Sequence, residues 1–174
     1  MQKIPKNKIL QCKGFSLFEL LIYMVILSGL MIIVSSSFIS LSKGRAQAQA
    51  RSDVQASIRF ATERLRQDIK SASAVITPSP GSASSTLSLT ISGTTVTYDT
   101  ATSTLRRKEG ASTPVAITGN MVAVSAPVFT VISNYNTRLQ ATTTAVQILM
   151  TFTYNASSTD WGYTNTLRTS VTLR

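Results

Sequence analysis

The chain has 174 residues, contains no histidine and one cysteine, and carries 17 lysine and arginine residues against 7 aspartate and glutamate residues. Its length predicts one domain with an appendage. The composition excludes a His/Cys metal cluster, a Cys–His nucleophile pair, a Ser–His–Asp triad and an intramolecular disulfide. The formal net charge of +10 favours anionic partners, either nucleic acid or a phospholipid surface.

The N-terminus is basic and the segment that follows it is apolar. Residues 1–14 carry four lysines and no acid, and residues 15–34 contain one charged residue, Glu19. About twenty apolar residues can cross a bilayer as a helix, and lysines before such a segment predict a cytoplasmic N-terminus. The alternatives are a buried core helix and a secretory signal peptide, whose small-residue cleavage site is only weakly matched by residues 35–37. We therefore expect a single-pass segment in the cell membrane, with the rest of the chain outside.

A short motif, KGFSLFELLI, spans the junction between these two segments. It resembles the processing motif of type IV prepilins and type II secretion pseudopilins, in which a glycine, an aromatic residue and a glutamate stand at fixed offsets. The resemblance implies cleavage between Gly14 and Phe15 by a membrane prepilin peptidase, followed by N-methylation of Phe15. One position departs from the family, because Phe18 stands where threonine is frequent.

Glu19 is the acid within the apolar segment. An ionised carboxylate in hydrocarbon costs several kcal/mol, so we expect it to have a cationic partner. The resemblance implies an assembly role, in which Glu19 meets the Phe15 amine of a neighbouring subunit and so fixes the register of assembly. The alternative is that Glu19 reaches the lipid headgroups at the cytoplasmic end. Removal of the leader, with its four lysines, lowers the net charge from +10 to +6. Much of the excess positive charge therefore indicates the orientation of the chain in the membrane and says nothing about nucleic acid.

The second half of the expected helix is amphipathic. Two prolines and a glycine within residues 77–81 should end it, which predicts one helix from Phe15 to about Val75. The apolar side chains recur at steps of three and four on one face. They are Ala50, Val54, Ile58, Ala61, Leu65, Ile69 and Ala72.

The remainder of the chain alternates apolar and polar residues in the manner of β-strands. Residues 87–91 and 96–98 flank Ser92-Gly93 and predict a hairpin. Further strands are expected within residues 103–107, 115–117, 121–124, 128–132, 146–154 and 167–173, with loops at 133–144 and 155–165. The Ser/Thr content alone is also compatible with disorder, but the sustained alternation favours an antiparallel sheet.

The expected fold is α+β. The apolar face of the sheet should pack on the helix stripe, which is the lollipop layout of type IV pilins. The expected organisation is a cleaved basic leader (1–14), a transmembrane half of the helix (15–38), an amphipathic half (39–76) and a β-rich head (82–174).

Two further features resemble one group of minor pilins. The sequence ERLRQDI at 63–69 and the order of strands around Leu105-Arg106-Arg107 are similar to the group that contains the J-type pseudopilins, the W-type pilus minor pilins and the F-type competence pseudopilin. This resemblance implies partnership with the prepilin peptidase, with other pilins through the N-terminal helix, with an inner-membrane assembly platform and with membrane lipid. It places the protein in the bacterial inner membrane and then in an extracytoplasmic filament.

The densest basic cluster of the head is Arg106, Arg107 and Lys108. It is a candidate contact for DNA phosphates, and the alternative is a solvated strand end on which Arg107 points away from its two neighbours. The acids are scattered, and neither a glycine-rich phosphate loop nor an acidic calcium loop occurs. We therefore expect no enzyme, no catalytic residue, no metal and no cofactor. Two other hypotheses remain open, a DNA-binding minor pilin of a competence pilus and an unprocessed single-pass surface protein.

Overall fold

The structure is a computed structural model that describes residues 16–138, 140–156 and 162–173. The chain divides into two units, Met1–Ser42 and Lys43–Arg174. A single helix, α1, spans Leu17–Ser71 and contributes to both units. The expected leader and its cleavage site between Gly14 and Phe15 lie outside the described residues.

The first unit consists, in its described part, of the N-terminal portion of α1. Its large apolar side chains are exposed on all sides, from Leu17 to Leu41. By length and composition α1 can cross a membrane, and the apolar window that qualifies it has no buried residue. A helix that is apolar all round requires an apolar environment, which the described residues of the chain do not supply.

In the second unit, the rest of α1 packs on a β-rich head, and the predicted stripe is confirmed. Six of the seven stripe residues are buried, and Ile58 is partly buried and packs on the same core. Full burial of one leucine or isoleucine side chain is worth about 1.5–3 kcal/mol. The stripe therefore holds this half of the helix against the head.

The helix ends at Ser71, earlier than the expected Val75. Residues Ala74–Thr77 form strand β1, which pairs antiparallel with strand β3 (Leu87–Ile91). Ser73 opens this pairing by donating its N–H to the Thr90 carbonyl at 2.8 Å. Val75 and Ile76 are β-branched and favour the strand, so sheet pairing ends the helix before the prolines do.

Nine strands form two antiparallel sheets among the described residues, where the sequence predicted one. The strands after β1 are β2 (Ala83–Ser84), β3 (Leu87–Ile91), β4 (Thr94–Ala101), β5 (Thr104–Glu109), β6 (Val115–Ala116), β7 (Val122–Asn136), β8 (Ala141–Tyr154) and β9 (Thr164–Thr172). The five-stranded sheet has the order β1-β3-β4-β5-β6, and the four-stranded sheet has the order β2-β7-β8-β9. Both sheets contribute side chains, such as Tyr98 and Phe152, to one core with α1.

The predicted hairpin is confirmed as β3 and β4. Ile91 pairs with Thr94 across the turn. Ser92 and Gly93 have φ values of 48° and 79°. Positive φ at both central residues is the type I′ geometry that matches the twist of the flanking strands.

The predicted loop at 133–144 is wrong. Strands β7 and β8 continue to pair through Asn136 and Ala141, so the hairpin extends well past the apolar alternation. The two strands expected at 121–124 and 128–132 are one strand, β7, with a register shift between Ser125 and Val128. Pro127 lies in that shift, where its missing N–H costs the ladder nothing.

Candidate functional site

Glu19 lies in the first turn of α1, and its side chain is exposed. Ser16 immediately precedes the helix, and its carbonyl accepts the Leu20 N–H at 3.1 Å. Ser16 and Glu19 therefore occupy the N-cap and third helical positions, which is the spacing of a capping box. A carboxylate in the first turn is also stabilised by the helix dipole. The sequence analysis did not consider this S-x-x-E spacing, which puts Glu19 at the position from which a glutamate can cap a helix.

Arg106 is engaged by an acid on the neighbouring strand. It lies opposite Asp99 of β4 and donates from Nε to Oδ1 at 3.0 Å and from Nη2 to Oδ2 at 2.6 Å. This is a bidentate pair of the strong kind. The hydrogen bond to Asp99 raises the pKa of the Arg106 guanidinium.

Arg107 points to the opposite side of β5 and meets a buried acid of the helix. Asp68 is 5% exposed, and its Oδ2 accepts both the Arg107 Nε–H at 2.6 Å and the Tyr98 hydroxyl at 2.6 Å. The Nη1 of Arg107 also donates to Glu109 at 2.7 Å. Arg64 lies farther out, with its Nε 3.8 Å from Asp68 Oδ1. We call Asp68, Tyr98 and Arg107 the buried charge cluster; Glu109 lies at its exposed end.

Two members of the cluster, Tyr98 and Arg107, have raised pKa values. Burial raises the pKa of Tyr98 well above its usual value, and the hydrogen bond to Asp68 adds to the effect. Partial burial alone would lower the pKa of Arg107, but the hydrogen bonds to Asp68 and Glu109 more than offset it and hold the pKa above its usual value. Both groups therefore keep one protonation state across the physiological range.

The buried charge cluster joins three elements, because α1, β4 and β5 each supply one of its side chains. Its polar atoms bond to one another. The geometry therefore suits positioning of the helix on the five-stranded sheet. Of the three cations singled out from the sequence, Arg106 and Arg107 are ion-paired within the head and Lys108 is exposed.

Asp68 is the residue that the sequence analysis missed. It was counted among scattered acids, yet the positions Ala61, Leu65, Asp68 and Ala72 follow the same steps of four and three as the apolar stripe. An acid at a stripe position is buried with the stripe, and a buried acid is paired. That signal would have indicated a cationic partner for Asp68, but it would not have identified Arg107.

A groove of about 360 Å³ lies beside the cluster, between α1 and the edge strand β6. Its apolar lining includes Phe60 and Val115, which are 61% and 65% exposed. On the far side of the head, the ring of Tyr163 lies 5.7 Å from the Arg51 guanidinium of α1. The Tyr163 hydroxyl also accepts a hydrogen bond from Gln55 at 3.4 Å. Within residues 16–138, 140–156 and 162–173 no group of three or more potential metal ligands comes together.

Comparison of the chain with protein-family models, with curated proteins and with solved structures found no match in any of the three. The class defined by the structure is an α+β protein in which a long N-terminal helix, apolar and exposed in its first half, packs its second half on a head of antiparallel sheets. Function is therefore inferred from the chain's own residues and fold.

Proposed function

We propose that this chain is a minor pilin or pseudopilin. In this proposal the prepilin peptidase cleaves between Gly14 and Phe15, and the mature subunit enters a type IV pilus or a type II secretion-like filament, including its initiating tip complex. The observation that carries the proposal is the motif KGFSLFELLI, which leads directly into a helix with exposed apolar side chains.

The contrast between the two halves of α1 supports an assembly role. The first half exposes apolar side chains such as Phe18 and Ile32, at 70% and 71%, whereas the second half buries its apolar stripe in the head. The head thus has a core of its own, and the first half is left to contact something else. Before assembly this apolar surface contacts lipid, and after assembly it contacts the corresponding helices of neighbouring subunits.

The proposed function places Glu19 at the subunit interface, where its carboxylate pairs with the methylated Phe15 amine of the next subunit. Nothing cationic lies near it in the sequence of the apolar segment, so a partner in hydrocarbon has to come from elsewhere. The capping position of Glu19 is compatible with this role, because one carboxylate can complete the helix N-terminus in the membrane and exchange partners on assembly.

Intact-mass measurement of the membrane-extracted chain, co-expressed with a prepilin peptidase, tests the proposal. The expected mass lacks residues 1–14 and includes one added methyl group on Phe15. The variant Gly14→Val places a bulky side chain at the cleavage site and should remain full length.

Gly44→Ala is the matched control for that variant. A Cβ at Gly44 meets no atom within 4 Å, so this variant should be processed like the parent chain. A full-length parent chain in cells with active peptidase would contradict the proposal, and α1 would then be a plain single-pass anchor.

A further inference from the structure

The two sheets have four edge strands, and one of them differs from the rest. β2 and β6 are two residues long, and β1 is four residues long with a register shift. Such short or irregular edges resist pairing with other chains. β9 is nine residues long and pairs with β8 without a register shift. It is therefore the edge best suited to accept another strand.

The outward backbone groups of β9 can be assigned from its register. The Leu173 N–H bonds to the Thr144 carbonyl at 2.9 Å, and the Tyr154 N–H bonds to the Tyr163 carbonyl at 2.8 Å. Hydrogen-bonded pairs alternate along an antiparallel ladder, so every second residue of β9 directs its N–H and C=O away from β8. These residues are Thr164, Thr166, Arg168, Ser170 and Thr172. Within the described part of the chain, no backbone hydrogen bond reaches their outward groups.

A cleft of about 440 Å³ separates the C-terminal half of β9 from α1. The helix lines it with Thr62, Arg66 and Lys70, and β9 lines it with residues 169–172. Both cationic side chains are exposed, and neither forms an ion pair with any described residue. No acid lines the cleft; Glu63 belongs to the adjoining surface.

The two cations are one helical turn apart. Like charges at this spacing destabilise a helix by a few tenths of a kcal/mol. The helix dipole favours Lys70 in the last turn. Glu63, three residues before Arg66, faces the adjoining surface and forms no direct ion pair with either cation. An anionic group in the cleft would compensate both charges.

We propose that the free edge of β9 is the docking site for an extended acidic segment of a partner chain. The segment adds to the four-stranded sheet by main-chain hydrogen bonds to the outward groups of β9. Its acidic side chains lie in the cleft and pair with Arg66 and Lys70.

A second copy of this chain is a poor occupant of the same edge. Arg168 is the central residue of β9, so antiparallel pairing of two β9 strands about their centres would place two copies of Arg168 opposite each other. Like charges directly opposite across strands are destabilising. This argues for a different chain as the partner. The proposal uses only residues of the second unit, so its failure would leave the processing of the N-terminus untouched.

Binding of synthetic peptides to the full chain in detergent micelles tests the proposal. The probe is a peptide of the same length as β9 that alternates threonine and glutamate, and its control alternates threonine and lysine. We expect the glutamate peptide to bind at least about tenfold tighter by fluorescence anisotropy. It should also slow amide hydrogen exchange at Thr166, Arg168 and Ser170. Equal affinity of the two peptides, or binding without slower exchange at these amides, would overturn the proposal.

Two kinds of variant separate the contributions of charge and backbone. The double variant Arg66→Gln/Lys70→Gln should weaken binding of the glutamate peptide at least about tenfold. The double variant Arg45→Gln/Arg59→Gln removes the same two charges at exposed positions of α1 outside the cleft and should bind like the parent. Equal loss in both would assign the effect to net charge and contradict the docking site.

Ser170→Pro tests for strand addition itself. It removes one outward N–H while keeping the ladder with β8, and proline is tolerated on that side of an edge strand. The variant should retain the melting temperature of the parent and lose the peptide; Thr166→Pro is the second variant of the same design. Two results together would refute strand addition. They are competition for the cleft by a single-stranded oligonucleotide and retained binding of the glutamate peptide by the proline variants. The cleft would then be a general site for polyanions.

Discussion

Asp68 is the residue on which the packing of α1 against the five-stranded sheet depends most. Its carboxylate is buried and has one close cationic partner, Arg107, at 2.6 Å. Removing one partner of a buried pair leaves an uncompensated charge, which costs about 3–5 kcal/mol. Replacing both partners with apolar side chains avoids that cost, because no charge is then left in the core.

We therefore predict that Arg107→Met lowers the free energy of unfolding by about 3–5 kcal/mol. The double variant Asp68→Leu/Arg107→Met should recover most of the loss. Urea unfolding of the full chain in detergent, followed by circular dichroism, measures both. Lys108→Gln removes a neighbouring exposed cation and serves as the control. A loss as large in the control as in Arg107→Met would contradict the role of the pair.

Tyr98 gives the head an alkaline sensitivity. Its pKa in the folded state is raised by burial and by the hydrogen bond to Asp68, whereas tyrosine in an unfolded chain has a pKa near 10. The stabilisation from neutral Tyr98 is complete below about pH 10 and is lost as the pH rises above it, at about 1.4 kcal/mol per pH unit.

Tyr98→Phe should consequently be less stable than the parent at pH 7 and lose less stability above pH 10. Urea midpoints measured at a series of pH values check this prediction. The control is Tyr135→Phe, because Tyr135 is 58% exposed and has no buried partner to protect. If the parent and Tyr98→Phe lose the same stability above pH 10, ionisation of Tyr98 is not the cause of that loss.

The elements of the head were predictable where the hydropathy pattern and the turn chemistry agree. The β3–β4 hairpin followed from alternation around Ser92-Gly93, and the buried face of α1 followed from the spacing of residues such as Val54 and Leu65. The end of α1 at Ser71 could not be predicted from the prolines, because it is set by the tertiary pairing of β1 with β3. The polar ends of β7 and β8 pair through their backbones, so they lack the alternation that marks a strand.

Gly93 lies in the turn of the β3–β4 hairpin, and the stability of the hairpin should be sensitive to its substitution. At its φ of 79° a Cβ meets no atom within 4 Å, so the cost of a side chain is conformational. We expect Gly93→Ala to destabilise the head by about 1–2 kcal/mol. Gly119→Ala also adds a Cβ in open space without a positive φ, and we expect its effect to stay within about 0.5 kcal/mol. Equal thermal midpoints for the two variants would contradict this explanation.

At the scale of the whole molecule, the question is whether the Glu19 carboxylate acts only at its own helix terminus or also pairs with a neighbouring subunit. Glutamine is also accepted at the third position of a capping box, so Glu19→Gln keeps the helix cap and removes the charge. If Glu19 pairs with a neighbouring subunit, this variant should be processed and inserted normally and should fail to enter filaments. The measurement is its fraction in sheared surface filaments against its fraction in membranes.

The control for that experiment is Glu63→Gln, because Glu63 is an exposed acid on the second half of α1. It should enter filaments like the parent. Normal incorporation of Glu19→Gln would leave Glu19 with its capping role alone. The motif around Gly14 and Phe15 predicted this site, whereas the capping position emerged only when α1 was seen to begin at Leu17.

The position of β2 has a consequence for how the head is completed during synthesis. β2 belongs to the four-stranded sheet, yet it lies in sequence between two strands of the other sheet. Its partners are Thr130 and Phe129, and the Val131 carbonyl accepts the Gly81 N–H at 2.8 Å. Because the chain is made from its N-terminus, residues 81–84 lack their strand partners until β7 has been made. During that interval the backbone N–H and C=O groups of this stretch are unpaired, which makes it a target for proteases and chaperones.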